Sequence, residues 1–240
     1  MKIELVGTGA IYTKYNGACT LINEDTIVDM PNGTLKQLLK KNYTPEKIKT
    51  ILITHMHGDH TADVPFFLKY VYNFSKIDNE ILIIGPKGIE DKIVQLFGAY
   101  NFENKKEIEQ AMKIKYIELE QENTVIQNIN GYKIQSILVS HGEERPAYGY
   151  VINDDIGLTG DSGICSGVEE IVRNSKITIA DTSLFEGDSC HMGIDNIKYL
   201  VEKYEKQIIT THLRDTTREK LKNDKINNVL VVEDGYTFEI

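Results

Sequence analysis

No stretch of the 240 residues holds about 18 consecutive apolar side chains, so no transmembrane helix is expected. Basic charge is not in excess either. Lys and Arg number 27 against 36 Asp and Glu, a net charge of −9, which argues against a surface built for nucleic acid over its whole extent. A local pocket can still be positive, so a polyanionic substrate is disfavoured, not excluded. Cysteine is scarce: Cys19, Cys165 and Cys190 are odd in number, widely spaced and without a Cys-x-x-Cys partner. That excludes a disulfide framework, fits a reducing cytoplasm, and leaves each thiol as a small buried hydrophobe. The opening Met1-Lys2-Ile3-Glu4-Leu5-Val6-Gly7 is too short and too acidic for a secretory leader and reads as a strand. The turn Gly7-Thr8-Gly9 lacks the third glycine of a dinucleotide fingerprint, Tyr12 standing in its place. No low-complexity linker and no internal repeat is visible, so residues 1–240 are expected to form a single domain.

What is present begins with alternation of strands and helices. Residues 19–22 and 26–29 read as a hairpin around Asn23-Glu24-Asp25. Asn32 is placed to cap a helix running to about Lys41, with Leu35, Leu38 and Leu39 on one face. Lys49 to Ile53 is a buried strand, followed by a loop and a helix over 62–71. Residues 81–84 form another strand and Gly85-Pro86-Lys87-Gly88 opens a helix to about Phe97. The Lys/Glu-rich 99–113 reads as a solvated loop or helix face, and 114–119, 132–139 and 148–152 as strands. The last third alternates: helix 166–174, strand 177–180, helix 194–204, strand 207–211, helix 215–222, strands near 229–232 and 236–239. Such a pattern predicts an α/β fold with two sheets and helices on both outer faces.

The densest chemistry lies in Thr54-His55-Met56-His57-Gly58-Asp59-His60, on the loop leaving a strand, where α/β proteins place function. His55 and His57 are two apart on extended chain and can face one way, and Gly58 is read as the point where the backbone turns. So short a loop does not fold all four donors round one ion. Two metals are expected, one on His55 and His57, the other on Asp59 and His60. Further ligands should be His or carboxylate at a strand end; His141, Asp161 and His212 each follow an apolar run. Gly160-Asp161-Ser162-Gly163 looks superficially like a serine-protease motif, a reading rejected because Asp161 serves better as a ligand.

Taken together, these residues resemble the metallo-β-lactamase-fold hydrolases, and among them the ribonuclease Z group, over nearly the whole chain. Ile84-Gly85-Pro86-Lys87-Gly88-Ile89, Ala180-Asp181-Thr182-Ser183, Cys190-His191-Met192 and Thr210-Thr211-His212-Leu213-Arg214 carry the narrower likeness. The resemblance implies a four-layer αββα sandwich of two mixed sheets flanked by helices. It implies a first ion on His55, His57 and His141, a second on Asp59, His60 and His212, Asp161 bridging both, and Asp29 standing behind the ligands. Three departures stand out, one being that the last motif lacks the family's Ser-Pro-Arg-Tyr ending. No Gly-Pro-rich arm for gripping transfer RNA begins at 98–115, and the proline- and arginine-containing segment after the first glycine turn is replaced by Ile11-Tyr12-Thr13-Lys14-Tyr15.

The expected function is therefore a dinuclear metal-dependent phosphodiesterase, with zinc as the ion and manganese or iron compatible with the same donors. Two metals about 3.5–4 Å apart would hold the attacking hydroxide. Catalytic roles fall to Asp59, which orients it, His191, which protonates the leaving oxygen, and Asp181, which holds His191. Arg145 and Arg214 are placed to steady phosphoryl oxygens. The substrate class is a nucleotide-type phosphodiester, a cyclic nucleotide or short RNA, and the missing arm favours a compact substrate such as a cyclic nucleotide over transfer RNA. A thioesterase or lactonase on the same metals and a transfer RNA 3′-processing endoribonuclease are the alternatives. A homodimer is expected from the resemblance, with the apolar Val64 to Tyr72 helix as its contact.

Overall fold

A computed structural model describes residues 1–74, 80–102, 104–120, 123–142 and 146–240. The first half of the chain forms β1 (Lys2–Gly7), β2 (Cys19–Ile22), β3 (Thr26–Val28), α1 (Thr34–Lys40), β4 (Thr50–Leu52), α2 (Gly58–Thr61), α3 (Val64–Phe74), β5 (Leu82–Pro86), α4 (Ile89–Ala99), α5 (Lys105–Ala111) and β6 (Lys115–Leu119). The second half forms β7 (Thr124–Ile129), β8 (Tyr132–Val139), β9 (Ala147–Ile152), β10 (Ile156–Leu158), α6 (Ser166–Asn174), β11 (Ile177–Asp181), α7 (Ile194–Tyr204), β12 (Gln207–Thr211), α8 (Asp215–Asp224), β13 (Val229–Val231) and β14 (Tyr236–Glu239). The strands make two sheets, in the orders β14-β1-β2-β3-β4-β5-β6 and β13-β12-β11-β10-β9-β8-β7.

Both sheets are mixed, and they are built alike. In the first, β1, β2 and β3 are antiparallel neighbours and β3 to β6 run parallel. In the second, β8, β9 and β10 are antiparallel and β10 to β13 run parallel. Helices carry each parallel crossover, as parallel pairing requires. The chain therefore does contain a repeat, in its topology, although none is legible in its residues.

Alternation along the strands makes the layers. In the segment 51–53, Ile51 and Ile53 face the helices α3 and α4 while Leu52 faces the other sheet. In the partner sheet Ile209 faces inward and Ile208 faces α6 and α7. The result is the four-layer sandwich of helices, sheet, sheet and helices that the sequence predicts. Helices α6 and α7 occupy the predicted residues, and α8 runs two residues further. Strand β7 was not anticipated, though Asn130-Gly131 between it and β8 is a strong hairpin signal.

Two local expectations fail. Asn32 does not cap α1; the cap position is Gly33 in a left-handed conformation, and the buried carboxylate of Asp63 accepts from Leu35 N at 2.7 Å instead. Leu39 accordingly points out, 38% exposed, while Leu38 is buried. Helix α3 turns Val64, Phe67, Leu68 and Val71 into the core, so its apolar face is occupied, and of its apolar side chains only Phe66 and Phe74 stand exposed. The three cysteines are free as expected, but only Cys19 is fully buried. Among the described residues no helix is long and apolar enough to cross a membrane.

Candidate metal centre

The two sheets bring their carboxyl ends to one edge of the sandwich. Asp29 follows β3, the His55 to His60 run follows β4, His141 follows β8, Asp161 follows β10, Asp181 ends β11 and His212 follows β12. Asp29 and Asp161 lie where the pairing changes from antiparallel to parallel, a favoured place for ligands in open sheets. Asp29 and His212 both adopt positive φ, 60° and 52°, a conformation non-glycine residues hold only when their surroundings impose it. Gly58 needs no such freedom. It is the first residue of α2, and a Cβ there would meet nothing within 4 Å, so the turn comes from the start of the helix and not from glycine.

All the predicted ligands converge, in two groups whose donor atoms lie within 4.8 Å of one another: His55, His57 and His141, and Asp59, His60, Asp161 and His212. In the first, His57 Nδ1 lies 3.0 Å from His55 Nε2 and 3.2 Å from His141 Nε2. In the second, Asp161 Oδ2 lies 3.3 Å from His60 Nε2 and 3.2 Å from His212 Nε2. The same oxygen is 3.9 Å from His55 Nε2, which places Asp161 between the groups. Asp59 Oδ2 faces His212 Nε2 at 3.5 Å and His60 Nε2 at 3.7 Å.

Four of the histidines, His55, His60, His141 and His212, are held by their other nitrogen, and this fixes which nitrogen is free. His60 Nδ1 donates to Asp29 Oδ2 at 2.8 Å, and His141 Nδ1 to the Cys190 carbonyl at 2.7 Å. His55 Nδ1 meets Thr54 Oγ1 at 3.1 Å, and that hydroxyl donates to Asp29 Oδ2. His212 Nδ1 meets Ser183 Oγ at 2.8 Å, and Ser183 donates to Asp181 Oδ1. His60 Nε2 and His212 Nε2 are thus left buried without a hydrogen bond. Buried nitrogens are seldom orphaned. Two of them converging on a carboxylate fit a cation, and imidazole with carboxylate is a donor set for zinc and its neighbours. The arrangement is compatible with a dinuclear metal site. Sequence reading gave Thr54 and Ser183 no role, although Thr54 directly precedes the motif and Ser183 lies in a stretch it singled out.

Electrostatics agree with this sorting. Burial opposes charge on His60, but Asp161 and Asp29 outweigh it and hold its pKa well above the ordinary value. Burial likewise opposes charge on His212, and Asp161 and Asp59 prevail in raising it. His55 goes the other way, pushed well below by burial and by His60. Burial would raise Asp161, yet His212 and His60 bring it well below the carboxylate range. The pocket thus concentrates negative potential where positive charge is drawn in, and a bound cation would displace imidazole protons.

His191 and Asp181 meet as predicted. Asp181 is wholly buried, and its Oδ2 accepts from His191 Nδ1 at 2.9 Å and from Ser162 N at 3.2 Å. The His191 ring stacks on His212 with centroids 5.3 Å apart, and its side chain is 20% exposed. Burial works against its charge, but the bond to Asp181 and that carboxylate's charge raise its pKa. A cleft of about 500 Å³ opens beside it, lined also by His212, Arg214, Ile11 and Tyr12. Arg214 therefore reaches the cleft as expected; Arg145 lies outside the described residues.

Comparison with known proteins bears on the same features. The sequence model of the family described as "Anti-Pycsar protein Apyc1" matches residues 1–238. The ribonuclease Z of Pediococcus pentosaceus is 28% identical over 203 residues, covering 78% of this chain but 63% of its own, so this chain spans less than two thirds of that relative. Among solved structures, a diphosphatase of the PhnP family superposes with a TM-score of 0.79 at 17% identity, covering 100% of this chain and 97% of the other. Human tRNase Z, short form, gives 0.78 at 18% identity, covering 100% and 99%. The fold is thus that of the metallo-β-lactamase hydrolases, and the likeness to ribonuclease Z read from the motifs is confirmed.

Proposed function

The chain belongs to the family of the Anti-Pycsar protein Apyc1, and on that footing we propose that residues 1–240 act as one unit, a two-metal phosphodiesterase for a compact nucleotide-type substrate such as a cyclic nucleotide. The observation that carries this reading is the Asp181–His191 pair at the mouth of the ligand cluster. His55, His57 and His141 would hold one ion, Asp59, His60 and His212 the other, with Asp161 shared. Zinc is the proposed metal, and manganese or iron would suit the same donors. Two such ions, when bound, withdraw charge from a phosphoryl oxygen and make water acidic enough to attack near neutral pH.

The chain's own residues do the rest. Asp59, 18% exposed, sets its Oδ2 against His60 and His212 and orients the attacking water. Asp181 fixes the proton on His191 Nδ1, so His191 Nε2 faces outward and protonates the departing oxygen. An alkoxide leaving a phosphodiester needs that proton; thioester or lactone opening needs it less, which favours the phosphodiester reading. Only α5 separates the end of α4 at Ala99 from the start of β6 at Lys115 among the described residues. That leaves no inserted arm there, which supports a small substrate over transfer RNA. A homodimer belongs to the same proposal, using the exposed Phe66 and Phe74 edge of α3.

A panel of a cyclic nucleotide, bis(p-nitrophenyl) phosphate, a transfer RNA precursor, a thioester and a lactone tests it at neutral pH. Turnover of the cyclic nucleotide is expected; turnover of only the last two would overturn the reading. Metal analysis should find about two ions per chain, and sedimentation should find a dimer.

A further inference from the structure

Residues 10–16 form a loop that the ligand cluster does not use, although it borders the cleft. Its base is pinned. Gly9 N donates to Asn16 O at 2.8 Å, and Ala10 N to Leu213 O at 3.2 Å, tying the loop to the residue after His212. Asn16 donates through N and Nδ2 to Asp234 Oδ2 at 2.8 and 2.9 Å. Gly9 is obligatory, since a Cβ there would lie 2.4 Å from Thr13 Oγ1 and 2.7 Å from Tyr15 Cβ.

The loop's two tyrosines are used oppositely. Tyr15 lays its ring under the buried guanidinium of Arg218, 3.8 Å from centroid to Cζ. Tyr12 is 92% exposed and Ile11 beside it 54%. Scattered exposed apolar residues are ordinary. This one differs in place: Tyr12 lines the same cleft as His191, His212 and Arg214, and among the described residues is its only phenyl-type ring. A flat ring on a pinned loop loses little freedom when a second flat ring stacks on it, which is how proteins hold nucleobases without reading their edges.

We propose that Tyr12 is the platform on which the base of a nucleoside phosphate stacks while its phosphoryl group reaches the metal centre, a specificity role that rests on the phosphodiesterase reading. The test compares wild type, Tyr12→Ala and Tyr12→Phe on thymidine 5′-(p-nitrophenyl phosphate) and methyl p-nitrophenyl phosphate, which share a leaving group and differ in the nucleoside. The ratio of kcat/KM, nucleoside ester over methyl ester, should fall about 10- to 100-fold in Tyr12→Ala, mainly through KM, and stay near wild type in Tyr12→Phe. A ratio unchanged in Tyr12→Ala, or equally lost in Tyr12→Phe, overturns the proposal. Calorimetry with a nucleoside 5′-monophosphate and ribose 5-phosphate gives a readout without turnover. If the wild type cleaves neither ester but binds the monophosphate more tightly, and that preference vanishes in Tyr12→Ala, the phosphodiesterase reading fails and the platform stands. If the two ligands bind alike, the platform fails whatever the turnover.

Discussion

Asp29→Asn should loosen the metal centre while leaving the fold intact. Asp29 is 4% exposed and its two oxygens accept three bonds, each 2.8 Å: from Thr54 N, Thr54 Oγ1 and His60 Nδ1. An asparagine has one acceptor oxygen. If that oxygen keeps Thr54 N, the amide NH2 points at His60 Nδ1, which must then accept, and the proton moves to His60 Nε2, the nitrogen a metal needs. If the amide flips to keep His60, the NH2 faces the Thr54 N–H, and a buried donor goes unpaired at a cost of about 1–3 kcal/mol. Either way the carboxylate that raises His60 is lost. Partners of this kind are worth about 10- to 100-fold in metal affinity, or roughly 1.4–2.7 kcal/mol. Because Thr54 Oγ1 also holds His55, both clusters should weaken, the His60 cluster more. Zinc titration against a chromogenic chelator measures this, with circular dichroism of the metal-free protein as the control for folding. Wild-type affinity at both steps in a folded Asp29→Asn would refute the account of how the imidazoles are oriented.

His191→Ala should retain its metals and lose about 10²- to 10⁴-fold in kcat for a diester with an alkoxide leaving group, and much less with p-nitrophenolate, which leaves unassisted; equal losses on both would remove the proton-donor role. Gly58→Ala, inside the motif, should change stability by no more than about 0.5 kcal/mol by denaturant titration. Gly160→Ala should cost about 1–3 kcal/mol and weaken metal binding, because its φ is +61° and a Cβ would lie 2.8 Å from Thr54 Cβ. Tyr132 donates to Asp25 Oδ1 at 3.0 Å and accepts from Asn23 Nδ2 at 2.7 Å, and burial and then Asp25, against Asn23, push its phenol up to about 12. A pKa raised on folding stabilises fully below pH of about 10 and is lost as pH rises through about 12. Tyr132→Phe should therefore narrow the stability gap between pH 9 and 12 in urea melts, and an unchanged gap would contradict the assignment.

Much of the fold was legible because its parallel strands are fully apolar and its helices end on clear polar boundaries. The last third is the clearest case: α7 and β12 fall on the predicted residues because Ile194, Ile197, Leu200 and Val201 repeat at helical spacing and Ile208-Ile209 do not. What could not be read was pairing across the chain. Nothing local says that β14 joins β1, more than 230 residues away, and not β13 beside it. The ligand set was legible from a dense motif and from donors placed at strand ends. The residues that aim those donors were not: Thr54 and Ser183 act through single hydroxyls whose partners come from other strands, and no residue pattern announces such a contact.

The repeated strand order explains why the ligands are scattered as they are. Asp29 after β3 and Asp161 after β10 stand at corresponding places in the two sheets, each where antiparallel pairing gives way to parallel. Sheet packing sets these ends against each other, so Asp29 reaches His60 from behind while Asp161 reaches it from the front, at 2.8 and 3.3 Å. One imidazole is thus clamped between equivalent carboxylates of the two halves, one fixing its proton and the other facing its free nitrogen. It follows that a substitution moving either sheet against the other should be read first at His60. The inner-face pair Leu52 and Ile179, both in the core between the sheets, is where such a shift would begin. Leu52→Ala should cost about 2–5 kcal/mol in stability and, if the clamp is the coupling, weaken the His60 ion more than the ion on His55, His57 and His141; equal weakening in the same chelator titration would show that the sheets do not move as units.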